Sequence, residues 1–238
     1  MTLGAATELE QRLRERIQEV NERIAASAAR SGRTANDVTL IGVSKTVGRD
    51  AVDAAYAAGL RHFGENRVQD ALAKFADDRP ADLTLHLIGS VQTNKALQVV
   101  GNFDLIHSID RVSLAEALQE RAARQELVQP VLIQVNVARE EQKHGCAPEE
   151  LESLIEKVLG LSNLRLRGLM TMAPFVATLE AARPVFVGLR ELRDRMRTRF
   201  PEADLDELSM GMTNDFEVAV EEGATLVRVG RAIFAEPA

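Results

Sequence analysis

Between residues 7 and 30 the chain places Leu9, Leu13, Ile17, Val20 and Ile24 three or four positions apart among Glu and Arg, the spacing of one apolar stripe on a helix. The stretch SGRTAND at 31–37 ends it with small and turn-forming residues. From Val38 the pattern changes to short apolar, β-branched runs: VTLIGVSK (38–45), RHFGEN (61–66), LTLHLIG (83–89), LIHSID (105–110), PVLIQVNV (130–137), LRLRGLMTMA (164–173), DELSMGM (206–212) and TLVRVG (225–230). Helical stretches separate them at 50–58, 67–77, 111–126, 148–159, 180–199 and 214–222, with a weaker one at 91–100. Near-continuous apolar strands alternating with helices predict parallel pairing through right-handed crossovers, and eight such units predict a single closed (β/α)8 TIM barrel. An open doubly wound sheet is the competing α/β fold; no G-x-G-x-x-G follows the first strand to favour it. The expected organisation is one domain over 1–238, with residues 1–36 supplying an N-terminal helix that packs on the barrel and with no added β domain.

Composition narrows the function. Lys and Arg total 29 against 36 Asp and Glu, and the nine aromatics, eight Phe and one Tyr, include no Trp. Neither the basic surface nor the stacking platforms of a nucleic-acid binder are present, so nucleic acid is excluded as the expected partner. The charged N-terminal stretch MTLGAATELEQRLRER lacks the apolar core of a signal peptide, and no later run reaches the length of a membrane span. The single Cys146 has no internal disulfide partner, which suits a reducing compartment. The expected setting is cytoplasmic.

In a barrel, chemistry gathers at the carboxyl ends of the strands. Lys45 stands at the first of these. It reads either as a solvated lysine leaving a strand end or as a Schiff-base amine, its pKa lowered by an apolar barrel mouth and its partner an aldehyde. After strand seven, SMGMTND (209–215) offers Ser209, Gly211 and an N-cap at Thr213, Asn214 or Asp215: an anion cradle, or an ordinary capped loop. On strand eight, Leu226, Arg228 and Gly230 share one face, with Val227 and Val229 opposite. A guanidinium on a buried face needs a fixed acceptor, either a protein carboxylate in a salt bridge or a bound ligand. His86 and His107 with Asp110 read as packed, hydrogen-bonded core groups sooner than as metal ligands, and Cys146 as an incidental thiol in a polar loop.

The ordered motifs VSKT, FGENRVQD, HLIGSVQTNK, IHSID, QVNV with Lys143 and Gly145 following, GLMTMAP, LSMGMTNDFEVAVEEG and VRVGRAIF run from about residue 38 to the end. Here the chain resembles the pyridoxal 5′-phosphate (PLP) homeostasis family, the YggS/PROSC-type PLP-binding proteins. The resemblance implies a barrel of the fold-type III, alanine-racemase-like PLP class, with PLP held on Lys45. It further implies that Ser209, Gly211, Gly230 and Arg231 line the phosphate, that Arg228 faces the pyridine nitrogen, and that Asn66 flanks the ring. Two departures stand out: Val47 and Gly48 follow Ser44, Lys45 and Thr46 where the family often shows Ser-Lys-Thr-Lys-Pro, and Arg231 stands where a small hydroxyl residue often follows Arg-x-Gly. The first removes a second lysine; the second adds a donor.

An arginine at the pyridine nitrogen disfavours its protonation, because two cations would meet, so the ring stabilises a carbanion poorly. Racemases of this fold draw a second base from a tyrosine supplied by an added domain; this chain has only Tyr56, inside a predicted helix. The expected function is therefore a monomeric carrier that buffers PLP or delivers it to PLP-dependent apo-enzymes, with little catalysis and no metal. A weakly active PLP-dependent racemase and a Schiff-base aldolase are the alternatives.

Overall fold

The eight apolar runs fold into eight parallel strands, paired in chain order and closed by β1 against β8. The structure, a computed structural model, describes residues 3–75, 79–140, 142–174 and 178–235. The strands are β1 (Thr39–Val43), β2 (His62–Glu65), β3 (Thr84–Leu87), β4 (Leu105–Ile109), β5 (Gln129–Gln134), β6 (Leu164–Met170), β7 (Glu207–Met212) and β8 (Leu226–Val229). Around them lie α1 (Leu3–Arg30), α2 (Arg49–Ala57), α3 (Val68–Phe75), α4 (Ala96–Val99), α5 (Val112–Arg124), α6 (Leu151–Leu159), α7 (Arg183–Arg199), α8 (Phe216–Glu221) and α9 (Arg231–Phe234). The expected barrel is the observed one. Three helices start later than the apolar pattern suggests: single 3-10 turns at Thr93–Lys95, Pro148–Glu150 and Leu179–Ala182 precede α4, α6 and α7. Residues 76–77 of the expected 67–77 helix lie outside the described residues.

Both faces of the sheet are buried, which is why its strands read as continuous apolar runs. Outward side chains such as Leu40, Phe63, Leu85, Ile106, Val131, Leu208 and Val227 pack under the helices. Inward, Ile41, Leu105, Leu132, Met170 and Leu226 fill the lumen as a separate apolar cluster, a packed interior in place of a pore. Where β6 meets β7 the backbones approach so closely that a Cβ on Gly168 would stand 1.9 Å from the Glu207 carbonyl oxygen; only glycine fits.

The N-terminal stripe behaves as its spacing predicts. Leu13, Ile17, Val20 and Ile24 are buried, and α1 lies across α2, α8 and α9. Arg23 and Arg30 pair with Glu217 at 3.0 Å and Glu221 at 2.6 Å, and Arg16 Nη1 donates to the Ile233 carbonyl at 3.1 Å. Partly exposed ion pairs contribute about 0–1 kcal/mol each, so the apolar stripe carries the attachment. Among the described residues no helix is long and apolar enough to cross a membrane.

Candidate functional site

At the carboxyl end of β1 the chain turns through Ser44 and Lys45. Ser44 is fully buried and held on three sides. Its N–H donates to the Gly64 carbonyl at 3.1 Å, its hydroxyl to Glu65 Oε1 at 2.7 Å, and its own carbonyl accepts from Lys74 Nζ at 2.7 Å. Lys74, on α3, also donates to Glu65 Oε1 at 2.6 Å, making an ion pair whose carboxylate is wholly buried and whose lysine side chain is 10 % exposed. Glu65 Oε2 has no partner among the described residues. Lys45 itself is exposed, the solvated of its two readings, without the apolar surroundings that the desolvated-amine reading expected. The turn beneath it is clamped while the side chain stands in water. Sequence reasoning missed both Glu65 and Lys74.

On the neighbouring strand, Arg228 pairs in register with Ile41 of the lumen, and Leu226 on the same face belongs to the lumen cluster, as the alternation predicts. The guanidinium is buried at 4 % exposure. Its Nη1 donates to Ser209 Oγ at 2.5 Å and its Nη2 to the Thr171 carbonyl at 2.9 Å. Neither acceptor is a carboxylate, and among the described residues Arg228 makes no salt bridge. Burial pushes its pKa down to about 10, opposed by the charge of nearby Asp215. Further N–H groups of the fork remain without protein acceptors among the described residues.

Around this pair the β7–α8 and β8–α9 loops are tied together. Asp215 is the N-cap residue of α8, yet its carboxylate accepts from the Met212 N–H at 2.5 Å and so closes its own loop. Desolvation raises the Asp215 pKa. Gly230 N–H donates to Thr213 Oγ1 at 3.3 Å. Gly211 has φ +93°, and a Cβ there would lie 2.6 Å from Ala219 Cβ, so its glycine is explained by the close approach of α8. Arg231, first residue of α9, is exposed, and Asn66 is half-buried with its carbonyl against Gly89, where a Cβ would come within 2.1 Å. The structure thus brings Ser209 and Arg228 into direct contact and joins Gly230 to the β7 loop. Lys45, Asn66 and Arg231 lie at the same rim.

Below Arg228, three imidazoles cross the lumen. His107 Nδ1 lies 2.8 Å from Ser209 Oγ, His107 Nε2 3.0 Å from His86 Nδ1, and His86 Nε2 3.0 Å from His62 Nδ1. His86 and His107 are therefore hydrogen-bonded core groups, as read from the sequence; His62 was not anticipated. Burial is the main cause that lowers all three pKa values, His86 to about 3, His107 well below its ordinary value, and His62, which is partly exposed, less far. The unfolded chain binds protons that these rings refuse. Stability is therefore complete above about pH 6.5 and is lost as pH falls toward the folded values, by about 1.4 kcal/mol per pH unit for each ring held neutral. Urea midpoints should drop between pH 7.5 and pH 5, and replacing His86 with Gln should flatten that slope; equal slopes in the two proteins would contradict the assignment.

Cys146 is not in an open polar loop. It is buried, bridges in parallel to Val135 beside β5, and its thiol is pushed up to about 12, chiefly by burial. Tyr56 lies on α2, where its hydroxyl bonds to Asp82.

A barrel with these residues at its rim falls in a known class: residues 16–237 match the family model of the alanine racemase N-terminal domain. Alanine racemase of Clostridium difficile shares the fold at TM-score 0.73 and 13% identity, with 95% of this chain covering 56% of that one. Curated relatives narrow the class. The pyridoxal phosphate homeostasis protein of Aquifex aeolicus is 47% identical over 93% of this chain and 97% of its own length, and that of Escherichia coli K12 is 40% identical over 92% and 94%. The chain belongs to the pyridoxal phosphate homeostasis protein family. PipY of Synechococcus elongatus, solved with PLP bound, superposes at TM-score 0.79 and 40% identity, covering 91% of this chain and all of that one.

Proposed function

We propose that this chain binds pyridoxal 5′-phosphate as a Schiff base on Lys45 and serves cofactor homeostasis in the cytoplasm, buffering PLP or delivering it to PLP-dependent apo-enzymes, as a monomer with little turnover. The observation that carries the reading is Arg228: a wholly buried cation on the strand next to Lys45, paired with a hydroxyl and a carbonyl where a salt bridge would need a carboxylate. Such a group suits a ligand that presents a hydrogen-bond acceptor. The donor set fits PLP: an amine for the aldehyde, a guanidinium for the pyridine nitrogen, and Gly211, Gly230 and Arg231 on the phosphate side, with Asn66 flanking the ring; the Ser209 hydroxyl, between Arg228 and His107, supports the guanidinium.

PLP when bound supplies an aldehyde for imine formation and a ring that withdraws electrons. Arg228 holds the ring nitrogen as an acceptor and opposes its protonation, which weakens that withdrawal. Racemisation also needs a second acid/base group on the opposite face, and Tyr56 is engaged with Asp82 on α2. Storage is favoured over turnover on both counts.

The absorbance spectrum of freshly purified protein tests the reading. A visible band that disappears on borohydride, with the reduced adduct located at Lys45 by mass spectrometry, is the expected result; a colourless protein that stays colourless when PLP is added defeats it. Racemase turnover of about 1 per second or more would defeat the storage role alone. Arg228→Ala should keep the imine, shift its pH-dependent absorbance and weaken retention of PLP on dialysis several-fold, which a spectrum unchanged from the wild type would contradict.

A further inference from the structure

We propose that His62, His86 and His107 form one tautomeric relay that runs through the lumen from the amino-terminal face of the barrel to Arg228, its direction set by Arg228 through the Ser209 hydroxyl. These are positioning residues, and the role for a cofactor rests on the PLP reading above.

The geometry leaves few choices. A neutral imidazole has one N–H and one bare nitrogen, so each ring in the chain must donate at one end and accept at the other. A chain holding both tautomers would set two N–H groups or two lone pairs face to face at 3.0 Å. All three rings therefore carry the proton on Nε2, or all three on Nδ1. Arg228 decides between them. As an obligate donor it makes an N–H hydrogen bond to Ser209 Oγ, and an oxygen so polarised is the better donor to His107 Nδ1. His107 Nε2–H then donates to His86 Nδ1, His86 Nε2–H donates to His62 Nδ1, and His62 Nε2–H is left at the partly exposed end. Every dipole in that arrangement turns its negative end toward the guanidinium, compensating a buried cation that has no carboxylate against it. The charges facing the chain leave this order intact: Arg228 is nearest His107, Arg79 acts on His86, and Asp104, beside His62, favours an N–H at the outer end.

The chain holds four histidines, so long-range 1H–15N correlation spectra of 15N-histidine protein resolve the rings, with His144→Gln removing the one outside the relay. In the cofactor-free protein near neutral pH, His62, His86 and His107 should each show the pure Nε2–H form. A mixture of tautomers, or three Nδ1–H rings, overturns the relay. Ser209→Ala should shift the ring nitrogens of His62, three links away, by more than a linewidth, and Ser209→Thr should restore them; an unmoved His62 in Ser209→Ala overturns it as well. Adding PLP to the wild type should move His62 as the visible band appears, and His86→Phe should abolish that movement; His62 still responding in His86→Phe overturns the coupling. Failure of the band itself counts against the cofactor reading, while the cofactor-free spectra still decide the relay.

Discussion

Lys45→Ala is expected to abolish the visible absorption band outright and to leave no borohydride-trapped adduct at any lysine, while the far-ultraviolet spectrum and melting temperature stay close to wild type. Imine formation joins an amine nitrogen to the aldehyde carbon and releases the aldehyde oxygen as water, so no other side-chain type at position 45 can substitute. The structural cost is small because the side chain is exposed and holds no partner among the described residues. A truncated surface lysine changes stability by about 0.5 kcal/mol or less. Loss of colour with the fold intact separates Lys45 from Lys74 and Lys143, whose amines are engaged by Glu65 and Ser44 and by Glu140 and the Ala173 carbonyl. An undiminished band, or an adduct mapped to either of those lysines, would relocate the site.

Lys74→Met should destabilise the protein by about 3 to 5 kcal/mol, because it strands the Glu65 carboxylate in a dry environment with Ser44 as its remaining donor. For a chain of this size that lowers the melting temperature by on the order of 10 °C. The double variant Glu65→Gln with Lys74→Met removes the uncompensated charge and should recover part of the loss; a double variant no more stable than Lys74→Met would show that the charge is not the cause. Thermal unfolding of the three proteins is the measurement. Because Lys74 also holds the Ser44 carbonyl, Lys74→Met should loosen the turn that carries Lys45 and slow recovery of the band after PLP is removed and restored.

The barrel was legible because a sheet buried on both faces writes each strand as a continuous apolar run, and all eight runs became strands. The helical stripe at 7–30 was legible for the complementary reason, one buried face among charges. Strand alternation also placed Arg228 on one face with Leu226, the face that the closed barrel turns into the lumen. What escaped were partnerships made only by closure. Glu65 lies within FGENRVQD with no role assigned there, Lys74 belongs to no motif, and the two meet because α3 folds back over the end of β2. His62 lies 24 residues from His86, and His107 lies 102 from Ser209, so no local spacing announces the chain they form. Gly211 could be read as room for a ligand, but its closest constraint is the start of α8. Most telling is Lys45: the sequence left open a solvated lysine or a desolvated amine, and the side chain sits in solvent above a turn whose rigidity comes from buried neighbours.

That exposure bears on how a store would be emptied. On the PLP reading, a carbon–nitrogen double bond formed on Lys45 would join a side chain that bulk water already reaches, so water could serve as the releasing reagent. Hydrolysis would then set the rate at which the vitamin leaves, and a depleted surrounding pool would draw it out.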